Sequence, residues 1–336
     1  MRAVGYSEPL AISERDALRD LTLPVPTPGA RDLLVRVRAV SVNPVDVKLR
    51  ARVAPEGSGP RVLGFDAAGV VQSVGAEVQA FRAGDEVYYA GSIARPGSNA
   101  EYQLVDERIV AHKPSTLSWA ESAAMPLTSI TAWELLFDRL GLVPAGDAPG
   151  TLLIVGGAGG VGSLLIQLAR KLTKLTVVAT ASRPETHAWC QRLGAHHVID
   201  HRQGLAQGLQ TIGVSAVQYV ACLTATDQHW QAVCQLIAPQ GKVAVIDDPR
   251  QLDIVPLKRK SVSVHWELMF TRSLFETSDM IEQQRLLTEV ARLVDAGILR
   301  STLSATLGTI NAENLRVAHQ RVESGTSIGK LVLEGF

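Results

Sequence analysis

Thr151-Leu-Leu-Ile-Val155 runs directly into Gly156-Gly-Ala-Gly-Gly-Val-Gly162, and this stretch decides the fold. An apolar run that ends in clustered glycines predicts a strand, a tight turn and then a helix, here from Val161 to Leu172. Gly157, Gly159 and Gly162 have the GxGxxG spacing. In this motif the first glycine permits the tight turn, the second permits a close approach of the backbone to a pyrophosphate, and the third permits packing of the helix on the strand. The N-terminal N–H groups of the helix favour phosphate. We therefore predict a dinucleotide site built from Gly157, Ala158, Gly159, Gly160 and Val161.

The residues after the next predicted strand, Leu175 to Thr180, indicate which dinucleotide binds. An enzyme that uses NAD usually has Asp or Glu there to bind the ribose hydroxyl, whereas this chain has Ser182 and Arg183. A hydroxyl and a guanidinium suit a 2′-phosphate, which a carboxylate would repel. We expect NADPH, bound by Ser182 and Arg183. The alternative is that Arg183 is a solvated charge and that Glu185 accepts the ribose.

Composition excludes several other classes of protein. The chain has 336 residues, 46% of them hydrophobic, and equal numbers of basic and acidic residues, 33 of each. Without a basic field or a run long enough to span a bilayer, neither nucleic acid nor a membrane is an expected partner. The N-terminal residues lack the apolar core of a signal peptide, so we expect a cytoplasmic protein. The three cysteines are widely spaced and predict neither disulfides nor a metal site.

The order of the patterns predicts an α/β chain with two kinds of domain. From Leu33 to about Val110, short strands alternate with turns, which indicates a β-rich domain. From Trp119 to about Arg300, apolar runs alternate with helical periods, which predicts a parallel, doubly wound sheet. A last strand, Gly329 to Glu334, returns most naturally to the first domain.

Several motifs together resemble the medium-chain dehydrogenase/reductase superfamily, in its quinone oxidoreductase-like branch. Beside the glycine loop, they are Val42 to Arg50, Leu63 to Val70, Gly84 to Val87, Pro126 to Trp133, Leu193 to Ala195 and Gly329 to Leu333. The resemblance implies a Rossmann doubly wound sheet inserted in a GroES-like catalytic domain. Its domains would be residues 1–122 (GroES-like), 123–300 (Rossmann, NADPH-binding) and 301–336 (return to the catalytic domain). It also implies an active site in the cleft between the domains and a homodimer.

This chain departs from its zinc-dependent relatives at the metal ligands. Those relatives use a Cys, the His of a Gly-His-Glu motif, and a third Cys or Asp, and the matching positions here hold Asn43, Phe65 and Leu127. An amide, a phenyl ring and an alkyl chain cannot supply the three strong ligands that tetrahedral zinc requires. We therefore expect no metal, even where a family name says zinc.

The expected absence of zinc limits the substrates that we predict. Without a Lewis acid, direct reduction of a carbonyl is harder, whereas quinones and α,β-unsaturated carbonyls delocalise the charge that hydride brings. We expect an NADPH-dependent reductase of such small molecules. The alternatives are an alcohol or aldehyde dehydrogenase of the zinc-type family, and a non-catalytic NADPH-binding protein.

The resemblance also assigns site residues, each with a structural alternative. Asn43 and Lys48 are the predicted catalytic residues beside the nicotinamide, although Lys48 could be a surface lysine. Asp46 reads as a turn or helix-cap residue. The further cofactor contacts are Thr131, His201, Ile246 and Lys330, and the candidate substrate contacts are Tyr89, Trp266 and Phe270. Core packing is the alternative for the aromatic side chains.

Overall fold

Strands and helices follow the apolar runs of the sequence closely in this computed structural model, which describes residues 1–55, 57 and 59–336. The strands are β1 Arg2–Tyr6, β2 Arg19–Thr22, β3 Asp32–Val42, β4 Arg61–Val62, β5 Ala67–Val74, β6 Glu86–Tyr89, β7 Tyr102–Asp106, β8 Val110–His112, β9 Thr151–Val155, β10 Thr176–Thr180, β11 His197–Ile199, β12 Val217–Cys222, β13 Ile237–Val245, β14 Ser263–Trp266, β15 Leu303–Thr306 and β16 Lys330–Glu334. The α-helices are α1 Pro44–Arg52, α2 Trp119–Ala123, α3 Pro126–Trp133, α4 Gly160–Leu172, α5 Pro184–Arg192, α6 Leu205–Thr211, α7 Thr226–Leu236, α8 Thr271–Leu274, α9 Glu282–Asp295 and α10 Ala312–Glu323.

The described residues divide into two compact units. The first, which we call the outer unit, contains Met1–Ile130 and Phe270–Phe336, and the second, the nucleotide unit, contains Thr131–Met269. The sequence had placed residues 123–130 and 270–300 with the nucleotide domain. Residues 270–300 group with the outer unit because α9 packs on β8, and because the Tyr88 hydroxyl of β6 donates to the Leu287 carbonyl of α9 at 2.6 Å.

The nucleotide unit contains one six-stranded sheet in the order β11-β10-β9-β12-β13-β14. Every pair in it is parallel, as predicted for a doubly wound sheet. Its central strands β9 and β10 are buried on both faces, so their sequences are continuous apolar runs rather than alternating patterns. The carboxyl ends of the central strands, where such sheets bind ligands, carry the glycine loop after β9.

The outer unit contains a seven-stranded sheet in which β15, β16, β3, β5, β6 and β8 lie side by side and β7 also pairs with β3. All pairs in it are antiparallel except that of β15 with β16. The last strand, β16, lies against β3 with Val332 opposite Ser41, which confirms the predicted return of the chain end. A three-stranded sheet, β2-β1-β4, completes the unit.

In the part of the chain that the structure describes, no helix combines the length and the apolar composition that crossing a membrane requires. All three cysteines are buried as free thiols.

His319, on α10, is a fully buried histidine that the sequence did not single out. Its side chain has 0% exposure, and neither ring nitrogen has a hydrogen-bond partner among the described residues. Burial, helped by the nearby Arg50 guanidinium, lowers the pKa of His319 to about 3. The folded protein therefore holds this ring neutral across a pH range in which the unfolded chain protonates it.

We predict that His319 makes the protein less stable as the pH falls. Below the unfolded pKa of about 6.5, the unfolded chain gains a proton that the folded protein refuses, so this contribution decreases by up to about 1.4 kcal/mol per pH unit until the folded pKa is reached. The difference in unfolding free energy between wild type and His319→Leu, measured with urea, should shift in favour of the variant from about pH 7 to about pH 4.5. Parallel curves for wild type and His319→Leu would refute the prediction.

Candidate active site

The glycine loop fits a dinucleotide because two glycines make contacts that a larger residue would prevent. A Cβ on Gly157 would lie 2.7 Å from the Ala179 Cβ of β10, and a Cβ on Gly162 would lie 2.4 Å from the Gly156 carbonyl oxygen. The tight turn itself falls at Gly156, where φ is +95°, one residue before the GxGxxG motif. The sequence analysis had attributed the turn to Gly157, whose missing side chain instead lets the loop pack against β10.

The middle of the loop leaves room for a ligand. A Cβ on Gly159 would meet only the Gly156 carbonyl oxygen, at 3.7 Å, so this face of the loop is open. Gly159 is also the N-cap of α4, and no side chain caps the helix there. The first N–H groups of α4 are thus suited to a pyrophosphate, and the loop fits the dinucleotide that the motif predicts.

Two arginines flank Ser182 at the end of β10. Arg183 is the N-cap of α5, and its Nε lies 3.3 Å from an oxygen of Glu185. Arg202 donates to the Ser182 carbonyl and forms an ion pair with Asp200 at 2.7 Å. The sequence analysis missed Arg202, although its position after the neighbouring parallel strand, β11, would have pointed to the same edge of the sheet.

The other predicted cofactor residues of the nucleotide unit are His201, Ile246 and Thr131, and Trp266 is its predicted substrate residue. His201 follows β11, and its ring contacts the His229 ring, with centroids 5.8 Å apart. Ile246 follows β13, and its N–H donates to the Cys222 carbonyl at 3.1 Å. Thr131 is buried in α3, and Trp266, at the end of β14, is 59% exposed. These residues keep their predicted roles as hypotheses.

In the outer unit, a buried network surrounds the ammonium of Lys330. The ammonium donates to the Val42 carbonyl at 3.0 Å and to the Asn43 side-chain oxygen, and it lies 3.0 Å from an Asp66 oxygen. All three ammonium hydrogens therefore have acceptors within the protein. This arrangement differs from the predicted cofactor contact of Lys330, since no donor is left for a nucleotide.

The same network uses the Asn43 amide. Its nitrogen donates to Asp66 at 2.8 Å and is 3.4 Å from the Ser41 carbonyl. Asp66 also accepts the Leu127 N–H at 2.7 Å. Burial raises the pKa of Asp66, whereas the Lys330 ammonium, the Leu127 N–H and the Asn43 amide all favour its charged form.

Asp46 caps α1, in agreement with the sequence analysis. It accepts the Asn43 N–H at 2.8 Å and the Gly64 N–H at 3.0 Å. Burial raises the pKa of Asp46 to about 7 despite these hydrogen bonds. The capping interaction holds the turn that carries Asn43 next to the loop before Phe65.

The remaining predicted residues of the outer unit differ in accessibility. Lys48, on α1, is partly exposed, so its ammonium is the candidate donor with access to solvent. Tyr89 is fully buried, and its hydroxyl has no hydrogen-bond partner within the described ranges. Phe270 is 2% exposed and contacts Phe65 edge to face, with centroids 5.4 Å apart. Both aromatic side chains therefore contribute to the packed interior of this unit.

The residues at the metal positions do not fit zinc. The side chains of Phe65 and Leu127 have no atoms that could bind a metal, and the Asn43 amide is already hydrogen-bonded to Lys330 and Asp66. Within the described residues, no group of three or more His, Cys, Asp or Glu side chains could hold a metal ion. A fixed ammonium beside Asp66 also opposes a second cation, because like charges at this separation repel strongly in a buried site.

Comparison with known proteins gives the family. The family described as "Alcohol dehydrogenase GroES-like domain" matches residues 29–115, and "Zinc-binding dehydrogenase" matches residues 193–333. The zinc-type alcohol dehydrogenase-like protein of Staphylococcus epidermidis (strain ATCC 12228 / FDA PCI 1200) is 38% identical over 336 residues, which cover 99% of each chain.

Two further similarities bear on fold and chemistry. One similar crystal structure is that of a protein from Rhizobium etli CFN 42, provisionally assigned as a zinc-dependent alcohol dehydrogenase. Its sequence is 58% identical to this chain, the TM-score is 0.96, and the match covers 100% of this chain and 98% of that one. The 2-methylene-furan-3-one reductase of Solanum lycopersicum is 39% identical over 211 residues, which cover 60% of this chain and 52% of the relative.

The Lys330 network leads to a stability prediction. Lys330→Met leaves the Asp66 carboxylate buried without its cation and should lower the unfolding free energy by about 3–5 kcal/mol. Asp66→Asn in the same chain removes the stranded charge and keeps an acceptor for the Leu127 N–H. Urea unfolding of both single variants and the double variant should therefore show that the double variant loses at least about 1 kcal/mol less than the sum of the singles. Simple additivity would contradict a Lys330–Asp66 pair.

Proposed function

Because this chain belongs to the zinc-type alcohol dehydrogenase-like proteins of the medium-chain dehydrogenase/reductase superfamily, a superfamily of oxidoreductases, we propose that it is an NADPH-dependent, metal-free reductase of quinones or α,β-unsaturated carbonyls. The observation that carries this proposal is the Lys330 ammonium, bound between Asn43 and Asp66 beside the positions where zinc relatives hold metal ligands. An alkylammonium cannot accept a lone pair, so it cannot polarise a carbonyl as zinc does.

The substrate class follows from that limit. Conjugated acceptors spread the incoming charge from the attacked carbon to an oxygen, where hydrogen-bond donors suffice to stabilise it. The tomato relative is named for the reduction of an enone, 2-methylene-furan-3-one, which supports the same class here. Bound NADPH would supply the hydride, and water or a side chain would supply the proton.

Different residues of this chain would bind the cofactor, orient the acceptor and support the turn at the start of α1. The open face at Gly159 and the N–H groups of α4 would bind the pyrophosphate, and Ser182 and Arg183 would bind the 2′-phosphate. Lys48 would orient the ribose or the acceptor oxygen. Asn43, whose amide is held by Asp66 and Lys330, would act by fixing the turn at the start of α1.

We also propose that the protein is a homodimer. β14 is the last strand of its sheet, and Trp266 and Leu268 at its end are 59% and 49% exposed. An edge strand with exposed apolar side chains is suited to pairing with a second copy of itself.

The function is tested by purified protein and a panel of acceptors. NADPH oxidation should be observed with enones such as 2-alkenals and with quinones, and should persist after chelation, because the residues offer no set of zinc ligands. Elemental analysis should find zinc only far below one atom per chain. One tightly bound zinc per chain would overturn the metal-free proposal, and an absence of NADPH oxidation across the panel would favour the non-catalytic alternative.

Cofactor choice is tested at Arg183. Arg183→Ala removes a charge-assisted contact of roughly 1.5–3 kcal/mol, so the Kd for NADPH should rise at least about tenfold while that for NADH changes little. Arg192→Ala, an exposed arginine on the same helix, is the matched control for net charge and should leave both constants unchanged. Glu185→Gln should weaken NADH binding only if Glu185 accepts the ribose. Equal losses for NADPH and NADH in Arg183→Ala would show that Arg183 does not recognise the phosphate.

A further inference from the structure

The nucleotide unit contains two neighbouring buried glutamates, Glu134 and Glu267, and Glu267 is paired with Arg139. Glu134 begins a six-residue π-helical segment, Glu134–Arg139, that continues α3, and Glu267 directly follows β14. Glu134 is 1% exposed and Glu267 is 4% exposed. A π-helical segment within a helix is uncommon and often marks a functional position. Here it places Glu134 and Arg139 five residues apart, the separation that its i to i+5 hydrogen bonds make adjacent.

The contacts within this group call for a proton. Arg139 Nε donates to one Glu267 oxygen at 2.8 Å. The other Glu267 oxygen has no donor within the described residues, although the Glu134 carboxyl group lies in hydrogen-bond contact with Glu267. Two carboxylates cannot hydrogen-bond to each other unless one of them is protonated. A single proton between Glu134 and Glu267 therefore satisfies both groups.

The surroundings favour that proton. Burial and the Glu134 carboxyl raise the pKa of Glu267, whereas Arg139 opposes the shift. Lys242 on β13 and His265 on β14 lie near Arg139, since the charges of Lys242 and Arg139 both act on the His265 ring. Lys242 donates to the Leu140 carbonyl at 2.8 Å, and burial lowers the pKa of His265, which keeps that ring neutral.

The cluster lies beside two of the predicted cofactor contacts, Ile246 and Thr131. Glu267 N–H donates at 3.0 Å to the carbonyl of Val245, the last residue of β13, and Ile246 comes next. On the other side, Thr131 precedes Glu134 by three residues in the same continuous helix, a spacing that puts both on one face. The carboxyl ends of β13 and β14 belong to the edge where parallel sheets bind dinucleotides.

We propose that Glu134 and Glu267 share one proton and release it when an oxidised, positively charged nicotinamide binds, but not when the reduced, neutral form binds. This inference rests on the proposed nicotinamide site. The balance is simple: protonated enzyme and NADP⁺ give the complex and one free proton, whereas protonated enzyme and NADPH give the complex alone. Reduction of an enone or quinone by NADPH consumes one proton, so the released proton equals the one that the overall reaction requires.

The first test needs no cofactor. Infrared spectra of the apoprotein labelled with ¹³C at glutamate carboxyl carbons should show the carbonyl stretch of a protonated carboxyl at neutral pH. Glu134→Gln and Glu267→Gln should each abolish this band, and Asp138→Asn, an exposed acid in the same π-helical segment, should keep it. Gln resembles a protonated Glu and preserves the hydrogen-bond contact, so both variants should fold. A wild-type spectrum without the band would overturn the shared proton.

The second test counts protons on binding. Calorimetry in buffers of different ionisation enthalpy should show about one proton released with NADP⁺ and none with NADPH for wild type and Asp138→Asn, near pH 7.5. As the pH rises, the Kd for NADP⁺ should therefore decrease by up to about tenfold per pH unit, whereas the Kd for NADPH should not change. Glu267→Gln and Glu134→Gln should remove this difference. Equal proton release with both nucleotides would overturn the inference, whereas failure of both to bind, with the infrared band present, would overturn the proposed function instead.

Discussion

The ammonium of Lys330 connects parts of the outer unit that are far apart in the sequence. It belongs to β16, yet its acceptors are Val42 at the end of β3, Asn43 at the start of α1 and Asp66 just before β5. Removing an ammonium and a carboxylate from water is expensive, and the expense is recovered only where the geometry is good and further hydrogen bonds are made. Here each ammonium hydrogen has an acceptor, and Asp66 accepts two more N–H groups. The network thereby fixes β16, the α1 turn and the Asp66 loop relative to one another.

This arrangement places a permanent positive charge beside positions at which zinc relatives carry ligands. Protein ligands such as thiolate or imidazole would need to offer lone pairs inward, whereas Asn43 and Asp66 already direct theirs at Lys330. Under the proposed function, the two family descriptions that mention alcohol dehydrogenase and zinc give the fold of this chain rather than its chemistry. Function has to be argued from the donor atoms themselves.

The parts of the structure that could be predicted from the sequence are those that local pattern controls. The apolar run before Gly156 and the spacing of the glycines were sufficient for β9, the loop and α4, because strand period and turn chemistry depend on neighbouring residues. The Lys330 network was not predictable, since Lys330 lies 287 positions from Asn43 in the sequence and no periodicity relates the two. The same holds for Glu267 and Glu134, whose meeting depends on a π-helical segment that residue propensities do not signal. The sequence analysis assigned α9 to the nucleotide domain, because the amphipathic pattern of a helix does not show whether it packs on a parallel or an antiparallel sheet.

The two units solve the problem of buried charge in opposite ways. In the outer unit, the Asp66 carboxyl has the Lys330 ammonium and two N–H groups as partners, so protein groups alone complete its hydrogen bonding. In the nucleotide unit, Glu267 has Arg139 at one oxygen and the Glu134 carboxyl beside it, and we propose that a shared proton joins the two acids. A network completed by protein groups suits a scaffold that must hold a turn in place, whereas an exchangeable proton suits the edge of a sheet at which a bound ligand changes its own charge. The proposed contrast places the exchangeable proton in the unit that carries the glycine loop.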